Sequence, residues 1–323
     1  MIEASAPSKV IIVGEHFVVK GQPAIAAALD VRSKARIEEN LKGIIIRSIN
    51  LNFEVMIPME LSGSLPKEAE PFRRILKTMS ERYGKLRPAK ITLESEIPVG
   101  SGMGSSASTF AAFTAAYSKY LGVELSLDEV NEIVYEAECA VHGKPSGIDN
   151  TIVTYGGVIA YRKGEGFLRL NVKINQDYAW LVADTGVRRS TGDLVRRVLD
   201  LYDKYEEVLM PLYHAAGHLA IEAAKALEQG DYEKLGELMN INQGMLEAIG
   251  VSTLQISEIV YKAKEAGALG AKLTGAGGGG AVLILAKRGD LNEVEEAIKP
   301  YTAKIFKTRI AHTGIRVKEF NER

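Results

Sequence analysis

The sequence is poor in cysteine and contains no block of charge of one sign. Cys139 is the only cysteine among 323 residues, so no disulfide can form within the chain and a cysteine-rich zinc site is excluded. The 40 Lys and Arg residues balance 41 Asp and Glu residues, which gives a formal net charge of −1. Such a balance argues against nucleic acid as the main partner. These features favour a protein that acts on small molecules in a reducing compartment.

Long apolar runs are also missing. No stretch approaches the roughly 18 apolar residues of a membrane span. The first residues lack the basic start and apolar core that are typical of a signal peptide. We therefore expect a cytoplasmic protein without a membrane partner. At roughly 100–200 residues per domain, the length predicts one large domain or two ordinary ones.

Strand-like and helix-like periodicities alternate along the chain, which predicts an α+β fold. Apolar runs and alternation predict strands at 10–13, 24–29, 44–57, 91–97, 152–161, 167–172, 180–183, 271–273 and 281–286. Helical patterns cover 72–83, 105–121, 127–141, 193–229, 232–249, 257–266 and 291–299. Ser126 is the predicted cap of the third of these helices, with Glu129 as its capping-box partner. We place a domain boundary near residue 172, which gives domains of residues 1–172 and 173–323.

A glycine-bearing segment in the middle of the chain joins a predicted strand to a predicted helix. Its members are Pro98, Val99, Gly100, Ser101, Gly102, Met103, Gly104, Ser105, Ser106 and Ala107. Glycines let the backbone approach a ligand, and the helix start offers unpaired N–H groups, so the segment suits a phosphate. The two familiar phosphate motifs are absent, because no lysine follows the glycines and Ser105 stands at the last glycine position of G-x-G-x-x-G. The segment alone is equally compatible with a tight turn.

Two further segments favour the phosphate-binding interpretation. They are residues 6–16 and residues 272–280, and the second has five glycines within 275–280. A hairpin needs only one or two glycines, so the additional ones indicate that the backbone passes close to a ligand or to another segment of the chain. Together the three segments resemble the GHMP kinases, ATP-dependent small-molecule kinases with three short motifs in this order. Within that family, residues 14–19 and 142–150 are similar to the mevalonate kinases.

The resemblance implies a two-domain fold with ATP and substrate in the cleft between the domains. The N-terminal domain would resemble the second domain of ribosomal protein S5, and the C-terminal domain would be ferredoxin-like. The implied cofactors are ATP and Mg²⁺, and the implied reaction is phosphorylation of the C5 hydroxyl of mevalonate in isoprenoid biosynthesis. A homodimer is compatible with the resemblance.

Four residues carry the chemistry that the resemblance implies. Asp149 would be the general base beside the substrate hydroxyl, assisted by the ammonium of Lys9. Glu138 and Ser106 would be the Mg²⁺ ligands. The pattern alone leaves blander readings open: Asp149 as a turn residue and Lys9 as a solvated lysine at a strand end. For Glu138 the pattern alone indicates a residue at the edge of an apolar helix face.

Substrate contacts are implied for Glu15, His16, Arg189 and Thr191, and nucleotide contacts for residues 98–107 together with Gly275, Gly277 and Gly278. From the pattern alone, His16 is as compatible with a core histidine as with a substrate contact. The pattern alone indicates that Arg189 is a solvated arginine. The alternatives in function are another GHMP kinase, for phosphomevalonate or a sugar, and a nucleotide-binding relative without catalytic activity. Retention of Lys9, Glu138 and Asp149 together argues against the relative without catalytic activity.

Overall fold

The structure is a computed structural model that describes residues 1–84, 86–143, 145–188 and 191–320. Described residues form twelve strands: β1 (Ile2–Val13), β2 (Ala24–Glu39), β3 (Ile44–Ser48), β4 (Phe53–Ile57), β5 (Ala89–Ser95), β6 (Val158–Arg162), β7 (Gly166–Arg169), β8 (Tyr178–Asp184), β9 (Gly270–Thr274), β10 (Ala281–Lys287), β11 (Lys304–Thr308) and β12 (Arg316–Glu319). The helices are α1 (Glu70–Tyr83), α2 (Ser105–Leu121), α3 (Leu127–His142), α4 (Ile148–Tyr155), α5 (Thr191–Lys204), α6 (Glu206–Gln229), α7 (Tyr232–Ala248), α8 (Leu254–Glu265) and α9 (Leu291–Ile298). Within the described ranges, no helix is long and apolar enough to span a bilayer.

The larger sheet is built around β2, a strand of 16 residues. Its order is β12-β1-β2-β5-β3-β4, and β6 pairs with β2 and carries β7 at its other edge. All pairs are antiparallel except β3 with β5. Helices α1 to α4 bury their apolar faces against this sheet, and in this core the Phe72 ring contacts the rings of Phe110 and Phe113.

The smaller sheet has the order β11-β8-β10-β9, with every pair antiparallel. Helices α8 and α9 cover one of its faces. The other face shares a core with the larger sheet, in which Val10 and Ile12 of β1 belong to the same buried cluster as Trp180 and Leu283. This apolar core therefore joins the two sheets.

These elements confirm the α+β prediction, and the boundary near residue 172 stays a prediction. Residue 172 lies between β7 of the larger sheet and β8 of the smaller one, while β12 returns to pair with β1. The capping box of α3 is present, because Ser126 Oγ accepts from the Glu129 N–H at 3.2 Å and the Glu129 carboxylate accepts from the Ser126 N–H at 2.8 Å.

Two predicted elements differ from the structure. The strand expected over 152–161 is the helix α4 followed by the short strand β6. The run of β-branched residues from Thr151 to Thr154 favours a strand locally. Burial of Ile148 and Ile152, four residues apart, makes a helix the better packed form. The single helix expected over 193–229 is two helices, α5 and α6, which are separated at Tyr205.

Helix α7 approaches the edge strand β9 unusually closely, at Gly236 and Gly270. A Cβ on Gly270 would lie 2.7 Å from the Gly236 carbonyl oxygen, and a Cβ on Gly236 would lie 2.7 Å from the Leu269 backbone. The contact brings amide side chains to the strand edge, where Asn240 Oδ1 accepts from the Ala271 N–H at 3.2 Å and Gln243 Oε1 accepts from the Leu273 N–H at 2.9 Å. Helix α7 thereby satisfies backbone groups that an edge strand would otherwise leave exposed.

We expect Gly270→Ala and Gly236→Ala each to lower the free energy of unfolding by about 1–3 kcal/mol, since the added methyl meets rigid backbone. Urea unfolding followed by circular dichroism measures the change. The matched control is Gly244→Ala on the same helix, where a Cβ meets nothing within 4 Å. This control should be neutral or stabilise by up to about 1 kcal/mol through helix propensity. Equal stabilities of all three variants would contradict the close approach.

Candidate active site

Lys9 is a buried lysine at an irregular point of strand β1. The β1–β2 register shifts between Pro7 and Ser8 and again after Ile11, and such bulges change the direction of the side chains. Lys9 is 5% exposed. Its ammonium Nζ lies 2.9 Å from Asp149 Oδ1 and donates to the Gly102 carbonyl at 3.3 Å. The blander reading of Lys9 as a solvated lysine does not match this burial.

Asp149 lies in the first turn of α4, directly behind a sharp turn. Gly147, the residue that caps the helix, has a left-handed φ of 89°, and the Tyr161 hydroxyl donates to the Ser146 carbonyl just before it. The Asp149 side chain is 34% exposed, against 6% for that of its partner Lys9. A carboxylate fixed by a buried cation on one side and open on the other can accept a hydrogen bond from a ligand hydroxyl.

Glu138 faces the same pair from helix α3. The side chain is 3% exposed, and burial, together with the nearby Asp149 charge, raises the pKa of Glu138 from its ordinary 4.5 to about 8, against the opposing effect of Lys9. Ser105 and Ser106 are half-buried in the first turn of α2. Among the described residues no group of three or more metal-binding side chains occurs. A pair of oxygen donors suits Mg²⁺, which takes few protein ligands and completes its shell with phosphate oxygens and water.

The middle and last glycine segments face each other across a cleft. It is lined by Gly100, Ser101, Gly102, Thr274, Ala276, Gly277, Gly279 and Gly280. A Cβ on Gly280 would lie 2.9 Å from the Ser101 carbonyl oxygen, and one on Gly277 would overlap the Val251 carbonyl. Packing of the two loops on neighbouring backbone therefore requires glycine at these positions. Gly102, in contrast, is exposed on the open side of the cleft.

The helix start beside this cleft leaves N–H groups available to an anion. Gly104 begins α2 with a left-handed φ of 71°, and the first-turn amides of a helix have no carbonyl partner within the helix. Within the segment, Met103 and Ala107 are fully buried, so only their backbone can meet a ligand, whereas Val99 is half-exposed. The Ser101 hydroxyl donates to the Pro98 carbonyl at 2.8 Å and fixes the turn.

His16 has a strained backbone, and one hydrogen bond of its ring determines the tautomer. Its φ is 61°, a left-handed value that is uncommon for a residue other than glycine. Nε2 lies 2.8 Å from the Ala276 carbonyl oxygen, which can only accept, so Nε2 carries the proton. Burial lowers the pKa of His16 and keeps the ring neutral. Nδ1 is consequently an acceptor, and it is buried without a hydrogen-bond partner among the described residues.

Glu15 is buried too deeply to contact a ligand directly. It is 1% exposed and forms an ion pair with Lys272 of β9, which is fully buried. Sequence reasoning missed Lys272 as a partner, although a lysine inside the apolar strand β9 was a visible signal. It also missed Asn242 of α7, whose Oδ1 accepts from the Gly14 N–H at 3.1 Å.

The segment after β8 contains the remaining predicted substrate residues. Arg189 lies outside the described residues, and the side chain of Thr191, the first residue of α5, is likewise outside the description. Their neighbour Arg188 forms two hydrogen bonds, of 2.8 and 2.7 Å, with the buried Asp184 carboxylate. A Cβ on Gly100 would lie 2.8 Å from Arg188 Cδ, so this arginine covers the middle glycine segment.

Comparison with known proteins agrees with this geometry. Residues 70–157 match the family model for the GHMP kinases N terminal domain, and residues 223–303 match the one for the GHMP kinases C terminal. Together the matches cover just over half of the chain. The chain belongs to the GHMP kinase family. This confirms the resemblance inferred from the three glycine-bearing segments.

Individual relatives of this GHMP kinase extend over almost its whole length. It is 42% identical to a mevalonate kinase of Aeropyrum pernix over 98% of both chains, and 38% identical to one of Pyrococcus abyssi over 100% of this chain and 99% of the relative. The L. major mevalonate kinase in complex with R-mevalonate superposes with a TM-score of 0.82 at 29% identity, covering 95% of this chain and 94% of that one. The Methanococcus jannaschii mevalonate kinase superposes at 0.83 and 28% identity, covering 96% and 98%. The two-domain GHMP kinase fold is therefore confirmed.

The raised pKa of Glu138 predicts a pH-dependent stability. Between pH 4.5 and about 8 the folded protein keeps a proton on Glu138 that the unfolded chain has lost, so stability falls as pH rises through this window. We expect Glu138→Gln to have the same free energy of unfolding as the native protein near pH 4.5. Above about pH 8 its free energy of unfolding should be higher. The pKa rises from 4.5 to about 8 and one pKa unit is worth about 1.4 kcal/mol, so the gain is on the order of 5 kcal/mol.

Urea unfolding at several pH values in metal-free buffer measures this gain. The exposed Glu124, in the loop before α3, provides the control Glu124→Gln, which should follow the native protein at every pH. A Glu138→Gln curve parallel to that of the native protein would contradict the buried, protonated carboxyl.

Proposed function

We propose that this GHMP kinase transfers the γ-phosphoryl group of ATP to the C5 hydroxyl of mevalonate and releases 5-phosphomevalonate and ADP. The observation that carries the proposal is the Lys9–Asp149 ion pair, 2.9 Å long, beside the cleft between the glycine segments. The relatives named as mevalonate kinases over nearly full length supply the substrate class. The product enters isoprenoid biosynthesis in this proposal.

Asp149 acts as the general base in the proposed mechanism. Its carboxylate accepts the proton of the substrate hydroxyl, while the hydroxyl oxygen bonds to the γ-phosphorus and the bond from phosphorus to the bridging oxygen of ADP breaks. Lys9 orients the Asp149 carboxylate before the reaction through their ion pair, in which Nζ and Oδ1 are 2.9 Å apart. The same ammonium favours negative charge that develops on the transferred group.

The phosphates are held by backbone rather than by an additional lysine. The N–H groups at the start of α2 and the loops that flank the cleft offer donors and a helix dipole to the triphosphate. Glu138 and Ser106 would hold Mg²⁺, which neutralises phosphate charge when bound. The raised pKa of Glu138 fits this role, since a bound cation would offset the burial and the Asp149 charge that disfavour its carboxylate form.

The substrate end of the site is built around His16. Its buried Nδ1 is an unused acceptor, so it suits a hydroxyl of the substrate better than a carboxylate. We retain Arg189 and Thr191 as proposed contacts, with arginine as the partner of the substrate carboxylate. Glu15 supports this end of the site from behind.

A coupled ADP-release assay over mevalonate, phosphomevalonate, homoserine and galactose tests the substrate. We expect kcat/KM for mevalonate to exceed that for each of the others by at least roughly 10³, because a buried acceptor left unpaired rejects substrates that lack the matching hydroxyl. Preference for phosphomevalonate or galactose would assign the chain to another GHMP kinase activity. Absence of turnover with all four, together with tight ATP binding, would favour the relative without catalytic activity.

Asp149→Asn should keep the fold and lower kcat by roughly 10²–10⁴, the range for loss of a general base.

A second variant concerns Lys9. Lys9→Met should lower kcat more than it raises KM, since an interaction specific to the transition state acts on kcat. A double variant separates the two roles of Lys9. If Lys9 acts through Asp149, the losses are not additive, and if it acts on the phosphoryl charge they add. Turnover of Asp149→Asn within a few-fold of the native protein would reduce Asp149 to a turn residue.

The setting of the enzyme is part of the proposal. We propose that it works in the cytoplasm, as its single cysteine favours. A homodimer stays a prediction, and light scattering at micromolar protein concentration measures the mass that decides it.

A further inference from the structure

The buried ion pair between Glu15 and Lys272 joins two parts of the molecule that belong to different sheets. Glu15 follows β1 of the larger sheet, and Lys272 lies in β9 of the smaller one. The exposed fractions are 1% and 0%. Asn242 of α7 donates to the second carboxylate oxygen of Glu15 at 3.4 Å, and the Lys272 ammonium also donates to the Leu273 carbonyl. Burial raises the pKa of Glu15 and lowers that of Lys272, and the charge of each partner opposes the shift.

Segments on both sides of this pair end in the active site. Along the first segment, the Ile11 N–H donates to Thr274 Oγ1 at 2.9 Å, and His16 bonds to the Ala276 carbonyl at 2.8 Å. Along the second, Lys272 stands two residues before Thr274, after which the glycine loop 275–280 begins. The ion pair therefore lies between the residue that faces the substrate and the loop that faces the nucleotide.

Stability alone gives little reason for such a pair. Replacing a buried ion pair with apolar side chains of similar volume is often neutral or stabilising, because both charges lose their hydration. The left-handed backbone of His16, in contrast, is strained for a residue other than glycine and persists only where its surroundings fix it. Glu15 is the residue directly before His16, so its anchor on Lys272 provides this constraint.

We propose that Glu15 and Lys272 are positioning residues whose buried ion pair fixes His16 relative to the glycine loop and thereby sets the distance between the substrate hydroxyl and the nucleotide phosphates. The consequence for the reaction rests on the proposed function; the effect on His16 does not. Misplacement of a reacting group by about 1 Å costs roughly 10²-fold in rate. The carboxylate of Glu15 thus acts through His16 and the loop rather than by touching the substrate.

Four variants test this proposal: Glu15→Gln, Lys272→Met, the double variant of both, and Asn242→Ala, which keeps both charges. We expect each single change of the pair to lower Tm, because it leaves one buried charge unpaired. The double variant should recover most of that Tm. It should nevertheless retain a loss in kcat/KM of roughly 10–100-fold, because the geometry is not restored.

A spectroscopic readout keeps the test independent of the substrate. The chain has five histidines, so ¹⁵N-histidine labelling with His16→Gln for assignment isolates one imidazole. In the native protein we expect a neutral ring protonated on Nε2, with a pKa that burial holds below the ordinary value for histidine. In the double variant and in Asn242→Ala this signal should shift or broaden. These two variants also carry the test if neither single variant folds.

The matched control is the exposed pair of Glu222 and Lys234, whose side chains are 40% and 38% exposed and 2.7 Å apart. Lys234→Met should leave Tm, kinetics and the His16 signal unchanged. A double variant with native kinetics and a native His16 signal would overturn the proposal and make the pair structural only. If none of the four alcohols is phosphorylated but the His16 signal shifts as expected, the proposed function fails while the positioning role stands.

Discussion

Strand β1 is the constraint on which the rest of the site depends, because one continuous strand reaches all three glycine-bearing segments. Its bulged middle sends Lys9 beneath Gly102 and against Asp149. Its last residues lie along Thr274, and the turn that follows lies against Lys272 and Ala276. A buried ammonium needs both an anion and carbonyl acceptors, and β1 obtains them from segments that are distant in the sequence.

Two ion pairs organise the charge in this site. Lys9 satisfies Asp149, and Lys272 satisfies Glu15. Burial, together with the Asp149 charge, raises the pKa of Glu138 against the opposing effect of Lys9, so its protonated form is favoured. A divalent cation bound there, as we propose, would instead favour the ionised carboxylate. Under the proposed function, Glu138 would therefore attract the cation and the start of α2 would attract the phosphates.

Glycine has two separate uses in the cleft. At Gly277 and Gly280 a side chain would meet the protein's own backbone, so these glycines allow the loops to pack. At Gly102 and Gly104 the backbone is left-handed, and the second of these begins the helix whose free N–H groups border the cleft. The first use builds the walls of the cleft and the second shapes the surface that a phosphate would meet.

The sequence by itself determined much of this protein. Periodicity and capping predicted the α+β class and helices such as α2 and α3, because these depend on local contacts within a few residues. Motif content identified the family, since three short segments in order are specific together where each alone is not. The strand expected over 152–161 was wrong, because burial of Ile148 and Ile152 outweighed the local preference of β-branched residues.

Only the tertiary structure decided which side chains meet. The partners of Lys9 and Glu15 lie 140 and 257 residues away, and no spacing rule links them. Burial likewise appears only when the sheets close over a shared core, so neither the raised pKa of Glu138 nor the tautomer of His16 is readable from the chain. Local physics fixed most of the elements, with α4 as an exception. Long-range packing fixed the electrostatics of the site, because desolvation and pairing depend on neighbours that the fold alone brings together.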